Sequence, residues 1–238
     1  MSNVQIFDDK SLLAEEVATQ TIAILTGAIE QQGRAVWVLA GGSTPLLAYK
    51  IIAEKYHDAI DWKNITLLIG DERIGPLDGP DNNWHAIEQV LGVLPTNNIR
   101  PRSDHSAEYA ASSYLQQLQS LPTNKGGLPR LDLVWLGVGN DGHTLSLFPG
   151  HDSILPTRQL VIPVHDSPKP PADRISLSLR ALSGAKSAMI IASGADKQSA
   201  ISAAQRGGYS PIALAAGIID THDGKVSWLL DRDAAPTD

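Results

Sequence analysis

Apolar residues along this chain follow two spacings, and each spacing predicts a different kind of element. Residues 11–33 place Leu13, Val17, Ile24 and Ala28 on one side of a helix, which predicts a long amphipathic helix. Short uninterrupted apolar runs elsewhere predict buried strands. The predicted strands cover residues 35–40, 65–70, 131–138, 159–164, 174–179, 186–193 and 225–230. The other predicted helices cover residues 44–56, 82–92, 106–121 and 195–206.

Strands and helices alternate along the chain, and this order predicts the class of fold. Strands that read as continuous apolar runs are typical of a mostly parallel sheet with helices on both faces. We therefore expect an α/β, Rossmann-like fold, with residues 1–238 forming a single domain. In sheets of this kind, ligands bind beyond the carboxyl ends of the strands.

Three predicted strands end in glycine followed by reactive polar residues. The run at 35–40 leads into "GGSTP", the run at 65–70 into "GDER", and the run at 131–138 into "GNDGH". Because the carboxyl ends of parallel strands meet at one edge of a sheet, we expect these three segments to form one site.

The glycine turn of the first segment is a candidate anion site. Gly41 and Gly42 allow a ligand to approach the backbone closely, and free N–H groups at a helix start favour negative charge. Ser43 and Thr44 add hydroxyl donors. We expect the helix to start with Thr44 as N-cap and Pro45 as the first helical residue, and the alternative to an anion site is an ordinary helix cap after a strand. The turn matches neither of the common nucleotide-binding glycine motifs, so a nucleotide is not the expected ligand.

The second and third segments carry charged and titratable side chains. Asp71, Glu72 and Arg73 follow a strand directly, and either form a surface ion pair or point into the crevice beyond the sheet. The ordinary pKa of a histidine is about 6.5, so His143 can act as a base at neutral pH. Asp141 can orient its imidazole, and the turn that includes Gly142 would hold it in place. The alternative is a histidine that only fills a turn or bonds within the core.

Composition excludes several classes of protein. Hydrophobic residues make up 42% and charged residues 19%, which is typical of a globular chain. The formal net charge of −7, without a basic block, argues against binding to nucleic acid. The absence of cysteine excludes disulfides, a thiol nucleophile and thiolate metal sites. We see no zinc-binding spacing of histidines and expect neither a metal nor an organic cofactor.

The same reasoning gives expectations about location and partners. No apolar run reaches the roughly 18 residues of a membrane span, and acidic residues stand where a signal peptide is basic. We therefore expect a cytoplasmic protein that binds no membrane, as a monomer or a weak homo-oligomer. Lys169, Arg174 and Lys197 are either solvated cations or, together, the positive charge for a phosphorylated substrate.

Six segments together resemble the 6-phosphogluconolactonase family, in the family's order and across nearly the whole chain. They are "GGSTP", "GDER" with "PDNN", "LGVGNDGHTLSLFPG", "KPPADRISL", "GADKQSA" and "GKVSWLLD". The related glucosamine-6-phosphate deaminases share the glycine turn and the D-G-H. They continue with a glutamate-containing run where this chain has Leu147 and Phe148, which favours the lactonase. Asn82 and Leu145 depart from the common serine and alanine at those positions.

The resemblance implies hydrolysis of 6-phospho-D-glucono-1,5-lactone to 6-phosphogluconate, in the oxidative pentose phosphate pathway, by a carboxylic ester hydrolase. It implies that His143 activates water, that Arg73 lies in the lactone pocket, and that Asn83 matches the family's asparagine. It also implies a binding site for the sugar phosphate. The residues that the resemblance implies for that site are Ser43, Thr44, Arg174 and Lys197.

Two other functions remain open. One is a glucosamine-6-phosphate deaminase or isomerase, which ammonia release would detect. The other is a non-catalytic sugar-phosphate sensor, which predicts an attached DNA-binding segment, and the sequence contains no basic helix-turn-helix candidate.

Overall fold

The computed structural model describes residues 3–124 and 126–237 and contains two β-sheets. The strands are β1 Asn3–Phe7, β2 Ala35–Leu39, β3 Ile65–Ile69, β4 Asp71–Arg73, β5 Asn97–Ile99, β6 Leu133–Gly137, β7 Val161–Val164, β8 Arg174–Leu177, β9 Ser187–Ala192 and β10 Lys225–Asp231. Seven of them form one sheet in the order β1-β10-β9-β6-β2-β3-β5, and every pairing in it is parallel. This confirms the predicted class of fold.

Helices flank the large sheet. They are α1 Lys10–Gln32, α2 Ser43–Lys55, α3 Asn83–Leu91, α4 Ala107–Leu118, α5 Leu179–Leu182, α6 Gln198–Gln205 and α7 Pro211–Thr221. The sequence accounts for most of their starts, because the side chains of Asp9, Asn82, Ser106 and Ser210 each accept a hydrogen bond from an N–H of the first turn.

The second sheet is small and antiparallel, with the order β4-β8-β7. The sequence predicts strands at β7 and β8, but not their separation from the main sheet. Arg73 of β4 pairs with Arg174 of β8 in register. The small sheet thus joins the segment after β3 to the loop that precedes β8.

Several elements differ from the prediction. The patterns do not predict β1, β5 or α7, and Ile24 is half-buried, while the buried side of α1 includes Leu25. By length and composition alone, α1 could also cross a membrane, a property it shares with many buried core helices. In this fold α1 packs on α2 and β2.

The central strands of the main sheet, β2, β3, β6 and β9, are buried on both faces. All five residues of β2 are buried, and Trp37 of β2 lies edge-on to Trp135 of β6 with ring centroids 5.0 Å apart. Burial on both faces leaves the carboxyl ends of the strands as the place where polar chemistry can reach solvent.

Candidate active site

A cleft of about 260 Å³ lies at the carboxyl ends of β2, β3, β6 and β9. The three polar segments predicted to meet there do meet. Ten of the twelve predicted site residues line the cleft: Gly41, Gly42, Ser43, Thr44, Asp71, Arg73, Asn83, His143, Arg174 and Lys197. Asp141 and Gly142 are not among the lining residues and lie behind His143 in its turn.

The glycine turn joins β2 to α2. Gly42 has φ of 105°, which favours glycine, and a Cβ on Gly41 would lie 2.1 Å from Asn83 Oδ1. The helix begins at Ser43 with Gly42 as N-cap, so the prediction of Thr44 as N-cap is wrong. No side chain of the described residues caps this helix start, so its first N–H groups can bind an anion in the cleft.

Asp71 and Arg73 of β4 face the cleft, while Glu72 points away from it. Asp71 Oδ2 accepts a hydrogen bond of 2.6 Å from Ser146 Oγ, and Arg73 Nη1 donates to the Asp81 carbonyl at 3.0 Å. Arg73 Nε is buried and makes no hydrogen bond within the described part of the chain. Because Arg73 uses few of its five donors on the protein, it keeps donors for a ligand.

Glu72 is buried and is not among the predicted site residues. Its oxygens accept hydrogen bonds from the backbone N–H groups of Arg73, Asn83 and Trp84, at 2.7–2.9 Å. Burial raises its pKa to about 7, against the lowering effect of these three bonds. Glu72 thus ties the first turn of α3 to β4 and fixes Asn83 beside Gly41.

His143 lies in a tight turn after β6. The Gly139 N–H donates to the His143 carbonyl at 2.8 Å, and Gly142 N–H to the Gly139 carbonyl at 2.9 Å. A Cβ on Gly139 would lie 1.9 Å from His143 Nδ1, and Gly142 has φ of 83°. The glycines are therefore required by the turn that presents the imidazole.

Asp141 orients that imidazole. His143 Nδ1 lies 2.5 Å from Asp141 Oδ1, and the His143 backbone N–H donates to the same oxygen at 3.2 Å. Because an ionised carboxylate only accepts, the contact places the ring proton on Nδ1 and leaves Nε2 as the acceptor. Burial raises the pKa of Asp141, but the two hydrogen bonds with His143 hold it below its ordinary value.

The imidazole of His143 is 18% exposed, and its ring packs 4.8 Å from that of Phe148. Burial lowers the pKa of His143 below its ordinary value, against the opposing effect of Asp141. Lys169 Nζ lies 3.4 Å from His143 Nδ1 and donates to Asn140 Oδ1 at 3.0 Å. Its positive charge lowers the pKa of His143 further. His143 is therefore neutral at neutral pH and can accept a proton.

The cations of the cleft differ in how they are held. Arg174 is buried and donates from Nε and Nη2 to the carbonyls of Lys169, Pro170 and Pro171 at 2.8–3.2 Å. It therefore shapes the loop that carries Lys169. Lys197 Nζ pairs with Asp196 at 2.7 Å at the start of α6.

Two lining residues with polar side chains, Lys169 and Ser193, are not among the predicted site residues. Lys169 was considered only among several cations, and its proximity to His143 depends on the fold of the loop. Ser193 follows β9 directly. It therefore lies at the carboxyl end of a parallel strand, as the three predicted segments do. Among residues 3–124 and 126–237, no group of three or more histidine or acidic side chains is arranged to hold a metal ion.

Comparison with known proteins gives the family. The model of the family described as "Glucosamine-6-phosphate isomerases/6-phosphogluconolactonase" matches residues 8–228. This chain belongs to that family. A protein of Streptomyces coelicolor named 6-phosphogluconolactonase is 38% identical over 242 residues, covering 95% of this chain and 91% of the relative. The Mycobacterium tuberculosis protein of the same name is 31% identical and covers 98% and 97%.

Solved structures of the family share the fold. The 6-phosphogluconolactonase of Trypanosoma brucei superposes with a TM-score of 0.87 at 25% identity, covering 98% of this chain and 97% of that one. A structure described as a monomeric glucosamine-6-phosphate deaminase superposes with a TM-score of 0.76 at 22% identity, covering 98% of each chain. Both activities of the family therefore occur on this fold, and the side chains of the site must distinguish them.

Proposed function

We propose that this protein hydrolyses 6-phospho-D-glucono-1,5-lactone to 6-phosphogluconate, as a carboxylic ester hydrolase. The observation that carries the proposal is a neutral His143, oriented through Nδ1 by Asp141, in a cleft lined by Arg73, Lys169 and Lys197. A base beside several cations suits an anionic ester-like substrate. The names of the relatives in Streptomyces and Mycobacterium support the same substrate.

In this mechanism His143 Nε2 removes a proton from water while the water oxygen attacks C1 of the lactone. The carbonyl oxygen becomes negative, and Arg73 or a backbone N–H of the 139–143 turn stabilises it. The bond between C1 and the ring oxygen then breaks, and His143 returns the proton to that oxygen. The products of these steps are a carboxylic acid and a hydroxyl group. The acid then releases its proton, the second proton of the attacking water, to solvent and becomes the carboxylate of 6-phosphogluconate, so atoms and charges balance.

The phosphate would bind the uncapped start of α2 at Gly42, Ser43 and Thr44, with Lys197 supplying charge. Arg174 contributes a second charge, although its hydrogen bonds to the 169–171 carbonyls give it a structural role as well. Anchoring the phosphate places C1 near His143, which makes the attack effectively intramolecular. Asp71 and Asn83, on the same side of the cleft, would contact sugar hydroxyls.

The test is the rate of lactone disappearance with freshly generated 6-phospho-D-glucono-1,5-lactone, corrected for spontaneous hydrolysis. We expect turnover well above background, and weaker turnover of unphosphorylated glucono-1,5-lactone, because the latter lacks the anchoring group. Ammonia release from glucosamine 6-phosphate is measured in parallel. Ammonia release without lactone hydrolysis would replace this proposal with the deaminase, and binding of 6-phosphogluconate without either reaction would replace it with the sensor.

A further inference from the structure

Two buried tyrosines make the same pair of contacts at the ends of β2 and β3. Tyr49 of α2 accepts a hydrogen bond from the Ala40 N–H at 3.0 Å and donates to the Ala40 carbonyl at 3.1 Å. Tyr114 of α4 does the same with Ile69, at 2.9 and 2.7 Å. Each hydroxyl thus satisfies both backbone groups of one residue.

The two tyrosine hydroxyls take the place of backbone hydrogen-bond partners that a neighbouring strand would supply. The pairing of β2 with β6 ends at Val38, and that of β3 with β5 ends at Leu68. Ala40 and Ile69 are buried and lie beyond the last paired residues of these two pairings, and Ala40 lines the cleft. An unpaired buried backbone group is costly, and one hydroxyl with a donor and an acceptor removes the cost.

Each contact lies immediately before a functional segment. Ala40 precedes the glycine turn, and Ile69 precedes Gly70 and the strand that carries Asp71 and Arg73. Tyr49 is itself held by aromatic contacts, since its ring stacks 4.7 Å from that of Trp135. Burial raises the pKa of both phenols, so each hydroxyl keeps its proton at neutral pH and continues to donate.

We propose that Tyr49 and Tyr114 are positioning residues that each align a different half of the site. Tyr49 aligns the phosphate-binding turn through Ala40, and Tyr114 aligns the strand with Asp71 and Arg73 through Ile69. These two separate roles rest on the proposed function, because the proposed function assigns phosphate binding to the glycine turn and the lactone to the strand with Asp71 and Arg73.

The variants Tyr49→Phe and Tyr114→Phe remove only the hydroxyls. For Tyr49→Phe we expect KM for the phosphorylated lactone to rise about tenfold, because the misaligned turn binds the phosphate less tightly, with kcat nearly unchanged. Its kcat/KM for unphosphorylated glucono-1,5-lactone should stay near that of the wild type. For Tyr114→Phe we expect kcat to fall about tenfold with both lactones.

The same helices supply matched controls. Tyr56 follows α2 and its hydroxyl contacts Thr19, and Tyr109 is a half-exposed residue of α4. Tyr56→Phe and Tyr109→Phe should keep wild-type kcat and KM. If the two tyrosines only stabilise the fold, both buried variants should contain a smaller fraction of active molecules, which lowers kcat and leaves KM unchanged. That pattern in both variants would overturn the proposal.

Amide hydrogen exchange separates this inference from the proposed function. In the protein without substrate, Tyr49→Phe should speed exchange in residues 40–46, and Tyr114→Phe in residues 69–74, each leaving the other segment unchanged. If the wild type hydrolyses no lactone, the proposed function fails and the exchange pattern alone decides the positioning roles. Unchanged exchange in both variants, or equal changes in both segments, would disprove them.

Discussion

The histidine–aspartate pairs at His143 and His165 have similar geometry, and their pKa shifts are opposite. His143 Nδ1 lies 2.5 Å from Asp141, and His165 Nδ1 lies 2.8 Å from Asp173. Burial lowers the pKa of His143. The hydrogen bond with Asp173, followed by the charges of Asp173 and Glu108, raises the pKa of His165. A neighbouring aspartate therefore does not by itself define the protonation state of a histidine.

The second ring nitrogen explains part of the difference. His165 Nε2 lies 3.0 Å from Glu108, so both nitrogens face carboxylates and both must carry hydrogen to donate, which favours imidazolium. Within residues 3–124 and 126–237, His143 has a carboxylate partner only at Nδ1. Exposure explains the rest, because the side chain of His165 is 48% exposed and that of His143 is 18% exposed. A general base needs one ring nitrogen fixed by a partner and the other able to accept a proton, and His143 has this arrangement.

The strongest test of this comparison is removal of each imidazole. His143→Ala should lower kcat for the phosphorylated lactone by at least the roughly 10²–10⁴-fold that a general base contributes. His165→Ala should leave kcat within about twofold of the wild type, since His165 is not among the residues that line the cleft. Steady-state kinetics, with circular dichroism to verify folding, gives the answer. Nearly normal kcat in a folded His143→Ala protein would refute the base assignment.

A smaller effect is expected from the two aspartates. Asp141→Asn removes the carboxylate that selects the Nδ1–H tautomer, so kcat should fall by more than about tenfold, up to the roughly 10⁴-fold seen when serine proteases lose the corresponding aspartate. Asp173→Asn makes the same chemical change at the exposed pair and should leave kcat near the wild-type value. Equal losses of kcat in the two variants would show that the pairs do not differ in function.

Much of the fold follows from local patterns, and the omissions have physical reasons. The central strands are continuous apolar runs because both faces are buried, and these were predicted. β1 and β5 are short outer strands with exposed positions, so their patterns resemble loops. For α7 the signal was present, since Ser210 as N-cap and Pro211 in the first turn mark a helix start.

The site was predictable where it depends on the ends of strands. Gly41, Asp71 and His143 each follow a buried strand, and parallel order brings them together. Lys169 and Glu72 depend on contacts between distant segments, which local patterns do not contain. The roles assigned to the site residues, the single domain, the oligomeric state and the cytoplasmic location stay predictions.

The smallest expected effect is on stability, and its sign differs between the two histidines. The raised pKa of His165 stabilises the fold fully below about pH 6.5, and this contribution is lost as pH rises through the folded-state value. The lowered pKa of His143 destabilises the fold as pH falls below about 6.5, because the unfolded chain binds the proton more readily.

Denaturant unfolding of His165→Gln and His143→Gln between about pH 5.5 and about pH 8.5 measures these contributions. The free energy of unfolding lost in His165→Gln should be larger at the acidic end, and by less than about 1 kcal/mol because the pair is half-exposed. The loss in His143→Gln should instead be smaller at the acidic end, since the wild type is itself weakened there. Slopes of the same sign would mean that both imidazoles titrate alike, and the distinction between a buried base and a surface ion pair would not hold.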